Sequence, residues 1–177
     1  QYHTCALKAD GSVACWGAGG PSDPAPSFPH YGQSAPPNAG AGSYIGITAG
    51  YYHSCALKAD GTAVCWGDNA YGQSPPAGSA VLQGPYVELS NGWQHSCGLQ
   101  ADGSVACWGN NASGQATVPS SLQQPASLAF GQIAAGNAHA CQVKRDGTLA
   151  CWGSNSDGQT SAPAGSFAQV VAGSTRS

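Results

Sequence analysis

One pattern, HTCALKADGSVACWG, returns with small changes as HSCALKADGTAVCWG, HSCGLQADGSVACWG and HACQVKRDGTLACWG. The copies begin at His3, His53, His95 and His139, giving spacings of 50, 42 and 44 residues. A repeat of this length is one supersecondary unit that cannot bury its apolar face alone, so the copies must stack into an array. Shorter pieces recur in step with it. GITAG at 46–50, VELSNG at 87–92 and QIAAG at 132–136 precede three copies, and QVVAG at 169–173 has no copy after it. GDNAYGQS, GNNASGQA and GSNSDGQT follow the later copies, while the first reaches its counterpart, HYGQS, only after a Pro-rich insertion at 18–30.

Each copy reads as a hairpin. Pairing Cys55 with Cys65 sets Ala56 opposite Val64, Leu57 opposite Ala63 and Lys58 opposite Thr62, and leaves Ala59-Asp60-Gly61 as the connection. A three-residue connection built on a type I turn ends in a left-handed residue, which favours Gly. The same register fits every copy, with Gly11, Gly61, Gly103 and Gly147 at that place. Alternation puts Cys5, Leu7, Val13 and Cys15 on one face of the first hairpin and Ala6, Ser12 and Ala14 on the other. Period two with one apolar face is a strand pattern, not a helical one. The chain is therefore expected to be one repeat domain over 1–177, with hairpins near 3–17, 53–67, 95–109 and 139–153 and a closing strand near 167–173.

Directly opposed Cys in a non-hydrogen-bonded pair lie roughly 4.5 Å apart at Cα, within disulfide reach. The register thus selects Cys5–Cys15, Cys55–Cys65, Cys97–Cys107 and Cys141–Cys151, against the alternative of eight buried free thiols. An even, regularly placed set of Cys in a chain with only 7% charged residues points to an oxidising compartment: secreted, extracellular or cell surface. The net charge of −3 with five Lys and Arg offers no basic stripe for phosphates, which excludes nucleic acid as a partner. No apolar run approaches the roughly 18 residues that span a bilayer. At 41% hydrophobic residues the composition suits a folded chain. Opening at Gln1 inside a repeat, the sequence reads as a processed form or an excerpt.

The residues His53, Ala56, Leu57, Asp60, Gly61, Trp66, Gly67, Asn69, Gly72 and Gln73, with their counterparts in the other copies, resemble the regulator of chromosome condensation repeat. The resemblance covers essentially the whole chain. It implies an all-β, propeller-like array of four blades, each built around one disulfide-stapled hairpin, with four strands per blade. That family usually closes seven blades, and its members include a secreted bacterial β-lactamase inhibitor, exchange factors and protein-binding adaptors. The Cys pairs place this chain nearest the secreted bacterial branch. The hairpins and the QVVAG segment are offset by one, so three closures are open: on the chain's own first hairpin, on the next chain's, or on blades of a longer protein.

The search for chemistry yields no catalytic, cofactor-binding or metal-binding residue. His3, His53, His95 and His139 recur without a second ligand beside them and read as buried imidazoles bonded to neighbouring backbone, rather than a metal ring. Asp10, Asp60, Asp102 and Asp146 sit in Asp-Gly turns, where the side chain caps the backbone. Glu88 is the sole Glu, and no nucleophile elbow, phosphate loop or dinucleotide fingerprint occurs. Trp16, Trp66, Trp108 and Trp152 follow the second Cys in every copy and read as inter-blade packing. Residues that differ between copies are better recognition candidates: Tyr2, Tyr51, Tyr52 and Trp93 just before the repeated His, and Tyr71 in the following loop. Pro21, Pro24, Pro26, Pro29, Pro36 and Pro37 mark an extended surface loop, and Asn111-Ala112-Ser113 is a glycosylation sequon. The expected function is a non-enzymatic extracellular protein-binding scaffold. The alternatives are a filament subunit joined head-to-tail by exchange of the C-terminal strand onto the next chain's first hairpin, and a lectin, for which only the aromatics speak.

Overall fold

The alternation of small and apolar residues in each copy produces strands throughout. In the computed structural model, which describes residues 2–22, 29–37, 44–123 and 131–173, these are β1 (His3–Leu7), β2 (Val13–Gly17), β3 (Tyr44–Ala49), β4 (His53–Lys58), β5 (Ala63–Gly67), β6 (Tyr86–Asn91), β7 (His95–Gln100), β8 (Val105–Gly109), β9 (Gln132–Ala135), β10 (His139–Val143) and β11 (Leu149–Gly153). They form four antiparallel sheets in chain order: β1-β2, β3-β4-β5, β6-β7-β8 and β9-β10-β11. The GITAG, VELSNG and QIAAG pieces supply β3, β6 and β9, the inner strand of each three-stranded sheet. Among the described residues the first blade thus carries two strands and the other three carry three each, not the four that the family resemblance implies. Pro24 and Pro26 lie outside the described residues.

The hairpin register is the expected one. Cys5 faces Cys15, Cys55 faces Cys65, Cys97 faces Cys107 and Cys141 faces Cys151. All four disulfides form, across Cα separations of 4.0–4.1 Å, and no Cys is free. At the turn Gly61 takes φ +83°, its N–H donates to the Lys58 carbonyl at 3.0 Å, and Asp60 Oδ1 accepts from Thr62 N at 2.9 Å and Thr62 Oγ1 at 2.7 Å. Asp10, Asp102 and Asp146 make the same pair of bonds. These side-chain and backbone hydrogen bonds hold all four carboxyls below the usual Asp range.

Burial happens between blades. One cluster packs Val13, Cys5, Leu7 and Cys15 of the first hairpin against Tyr44 and Trp66 of the second blade. The next sets Cys55, Leu57 and Ala63 against Tyr86 and Trp108, with Leu82 from the single-turn 3-10 helix Ala80–Leu82. The third joins Cys97, Leu99 and Val105 to Ile133 and Trp152, with Leu122 from the matching turn Ser120–Leu122. The first three disulfide faces are therefore each covered by the Trp of the following blade. Trp66, Trp108 and Trp152 are 8%, 7% and 6% exposed, whereas Trp16 is 56% exposed.

Residues 167–173, expected as a closing strand, join no sheet. They lie beyond the fourth blade, pinned by Phe167 N donating to Gly147 O at 2.7 Å and Val170 N donating to Gln132 Oε1 at 2.8 Å. Tyr44 and Tyr86 begin their inner strands with the same bond, to Gly11 O and Gly61 O.

Because the staple closes a short loop at a packed interface, replacing Cys55 and Cys65 together by Ala is expected to lower unfolding free energy by about 2–4 kcal/mol. Guanidinium denaturation without reductant measures this, and an unchanged midpoint would show that the register alone holds the hairpin.

Candidate functional site

The two ends of each blade differ in chemistry. At one end lie the Asp-Gly turns, flanked by Lys8, Lys58, Lys144 and Arg145, which are all the Lys and Arg of the described residues. At the other end β3 turns into β4 through Tyr51-Tyr52, β6 into β7 through Trp93-Gln94, and β9 into β10 through Asn137-Ala138. These connections are tight because Gly50, Gly92 and Gly136 donate N–H to the carbonyls of His53, His95 and His139 at 2.8–2.9 Å. The glycines are required by a close approach: a Cβ at Gly50, Gly92 or Gly136 would overlap the imidazole of its own turn's His.

The imidazoles bridge blades. His3 Nε2 lies 2.6 Å from Ser54 Oγ and His53 Nε2 lies 2.9 Å from Ser96 Oγ. The partner is thus a side-chain hydroxyl of the next blade, not the backbone group expected from sequence. In the fourth blade the equivalent residue is Ala140, so His95 has no hydroxyl to meet and both its ring nitrogens are buried without a well-formed hydrogen bond. Burial keeps these rings neutral: His53 is held down to about 3, with His95 and His3 as like-charged neighbours, and His3 and His95 to about 4. Among the described residues no group of three or more His, Cys, Asp or Glu is arranged to hold a metal.

The loops after the hairpins start at the same end. Asp68 N donates to Tyr52 O at 2.8 Å, Asn110 N to Gln94 O at 2.7 Å and Ser154 N to Ala138 O at 2.8 Å. Each loop is closed from within by its Gln, whose Oε1 accepts the N–H two residues earlier, as Gln73 does from Tyr71 at 2.9 Å. The Gln backbone carbonyl then accepts from the Trp of the next blade: Trp66 Nε1 to Gln33 O at 2.9 Å, Trp108 Nε1 to Gln73 O at 3.1 Å, Trp152 Nε1 to Gln115 O at 3.0 Å. Asn111 of the sequon does the same internal work, with Oδ1 accepting from Ala116 N at 2.9 Å and Nδ2 donating to Thr117 Oγ1 at 2.9 Å.

On this frame the variable aromatics gather. Tyr2 stacks on Tyr52 at 5.7 Å and meets Tyr51 edge-on at 5.4 Å; Tyr51 meets Tyr52 at 4.6 Å and Trp93 at 5.8 Å. Tyr31 joins edge-on to Tyr52 at 5.2 Å. Four of the five residues singled out in the sequence are therefore contiguous across the first three blades. Tyr31 was missed, although HYGQS places it in the same loop position as Tyr71. Tyr71, 53% exposed, stands at the same end but outside the ring cluster, since the residue in the place of Tyr52 is Gln94 in the next blade. Burial, then the neighbouring Tyr2, Tyr51 and Tyr31, push the Tyr52 phenol up to about 12, so it stays a neutral donor. Trp93 is 41% exposed and caps the row, which ends at Asn137-Ala138.

The family profile described as regulator of chromosome condensation (RCC1) repeat matches residues 44–73, 87–115 and 132–159, each an inner strand, a hairpin and its Gln loop. The CRINKLY WD40 ectodomain of the Arabidopsis thaliana receptor kinase ACR4 is similar at 26% identity and TM-score 0.66, over 98% of this chain and 54% of that one. The ectodomain of the Physcomitrella patens receptor kinase CR4 is similar at 28% identity and TM-score 0.68, over 97% and 44%. Yeast RCC1 (Prp20), in a structure with Kap60, shares the fold at 19% identity and TM-score 0.65, over 90% and 41%. The chain spans about half the length of these structures. Comparison with curated proteins finds no match. No helix among the described residues is long and apolar enough to cross a membrane.

Two outcomes test this geometry. The unfolded chain takes up protons at its His near pH 6.5 while the native rings resist down to about 3 or 4, so stability is full above pH 6.5 and lost as pH falls through that window. The Asp turns add a further loss only below their unfolded value of 3.8, and Glu88, raised by burial, acts in the opposite direction. The melting temperature should therefore decline from pH 6.5 to pH 4; a flat profile would mean that the rings are not buried neutral. Ala140→Ser, which offers His95 the hydroxyl its counterparts have, should stabilise by about 1 kcal/mol, and a loss in chemical denaturation would contradict the assignment.

Proposed function

We propose, because this chain belongs to the regulator of chromosome condensation repeat family, that it is a non-enzymatic protein-binding scaffold working outside the cytosol. The observation that carries this reading is the contiguous aromatic row, Tyr2, Tyr31, Tyr51, Tyr52 and Trp93, set on the end of the blades that holds none of the described Lys or Arg. Tyr and Trp dominate binding hot spots because they supply large, rigid contact area with a polar edge. Here Tyr51, Tyr52 and Trp93 occupy turn positions that vary between repeats, on glycine-braced turns that fix their backbone before any partner arrives. The charged group beside them is the carboxylate of Asp68, a residue whose N–H donates to Tyr52 O, so the face suits an apolar or mildly basic protein surface over an acidic one. Four disulfides and the likeness to two receptor-kinase ectodomains support the extracellular setting.

A glycan reading is weaker, because the rings meet largely edge to face and spend their flat surfaces on one another. The test is a quantitative one. The protein retained by the chain from the secreted fraction of its source should bind the Tyr51→Ala, Trp93→Ala double variant at least about 30-fold more weakly, the effect of losing roughly 2 kcal/mol at one hot spot. The melting temperature of a Trp93→Ala single variant should stay unchanged. Equal binding by the double variant, or strong signals on a glycan array, would remove this face as the protein site.

A further inference from the structure

The aromatic row has a relief and a set of hydrogen-bonding groups that narrow what it can hold. Tyr52, 9% exposed, lies at its base, with the half-buried Tyr2, Tyr31 and Tyr51 around it and the exposed Trp93 beyond Tyr51. Tyr51 stands at 86°, 88° and 78° to Tyr2, Tyr52 and Trp93. Rings meeting at right angles present notches between their edges, not one flat platform. The indole of Trp93 differs from those of Trp66, Trp108 and Trp152, which are buried and donate to Gln carbonyls. It is 41% exposed, and its N–H donates to no group among the described residues. Much of the backbone around it is already engaged. Tyr2 O, Tyr52 O and Gln94 O accept from Ala18 N, Asp68 N and Asn110 N, and Gly50 N and Gly92 N donate within their own turns. The face therefore offers a ligand a side-chain donor and few backbone acceptors.

A strand docks by extending a sheet edge through backbone hydrogen bonds. Here the row crosses the strand ends, at the β3–β4 and β6–β7 turns, and the N–H groups of Gly50 and Gly92 are spent. A helix uses its carbonyls on its own N–H groups and brings none for the indole. A polyproline II helix has no internal hydrogen bonds, so its carbonyls are open. Its prolines carry no N–H that would need an acceptor, and their short rigid rings fit notches between aromatic edges. We propose, resting on the reading of this face as a protein site, that the row takes a proline-rich segment of a partner in that conformation, with Trp93 Nε1 donating to a carbonyl of the segment. Charge adds a preference. Asp68 stands beside the row, while Lys8, Lys58, Lys144 and Arg145 lie at the opposite end of the blades. A basic residue flanking the prolines is therefore favoured over an acidic one.

The test titrates the 177-residue chain with a synthetic oligoproline peptide carrying one terminal arginine, and follows the indole N–H signals by proton–nitrogen correlation NMR. The Trp93 signal, assigned by its loss in Trp93→Phe, should move saturably, while those of Trp66, Trp108 and Trp152 stay in place. Trp93→Phe keeps a ring and loses the donor, so it should bind the peptide at least about fivefold more weakly, the effect of one hydrogen bond. A peptide of equal length with alanine in place of each proline should leave the Trp93 signal unmoved. Equal shifts with the alanine peptide would overturn the proposal, as would an unmoved Trp93 signal with the proline peptide. If that signal stays unmoved while the Tyr51→Ala, Trp93→Ala double variant still loses its secreted partner, the row is a protein site for another kind of surface. If neither effect is seen, the row is not a protein site at all.

Discussion

The structure depends on one junction, made three times: an indole N–H from one blade seated on a Gln carbonyl of the blade before it. A sheet of three short strands with Ala, Ser and Gly on much of its surface has too little apolar area to be stable alone. The Trp supplies that area to its neighbour, covering the disulfide and the flanking Leu or Val, and its single polar atom finds the carbonyl that the Gln loop presents. Everything else in the repeat serves this contact. The Gln side chain closes its loop, and its backbone carbonyl accepts the indole N–H of the next blade. The His and Ser tie the same two blades near their inner strands, where Thr48, Glu88 and Ser90 also accept N–H groups from the following blade.

Much of this was legible in the sequence wherever the determinants are local. Opposed Cys ten residues apart around Asp-Gly allow one hairpin register, and the structure has it. The turn role of Asp60 and its counterparts is likewise decided within two residues. What sequence reading did not reach lies across blades. The His–Ser contacts join residues 43 and 51 positions apart, and nothing local distinguishes a hydroxyl partner from a backbone one. Tyr31 escaped because the Pro-rich insertion separates it from the hairpin it follows. Tyr71, expected with the other aromatics, stands apart because contact is decided by the next blade's turn, and that turn carries Gln94. The expected closing strand is pinned at two backbone N–H groups yet joins no sheet, since a ladder needs a hairpin edge beside it.

The division of labour between repeated and unrepeated residues also explains how function fits the fold. Positions that touch the next blade are constrained by it in every copy. The first and second residues after Gly50 and Gly92 lie outside the clusters that cover the disulfides, so Tyr51, Tyr52 and Trp93 contact one another without entering those clusters.

The most direct test compares Trp108→Phe with Trp16→Phe in guanidinium unfolding, at dilution sufficient to keep chains apart. Trp108 fills a junction, so losing its N–H and part of its ring should cost about 2 kcal/mol or more, with the Gln73 carbonyl left unpaired. Trp16 is 56% exposed and fills no such junction among the described residues, so its substitution should leave the midpoint unchanged. Equal losses at the two sites would mean that the Trp stabilises its own blade, and the junction would not be what holds this protein together.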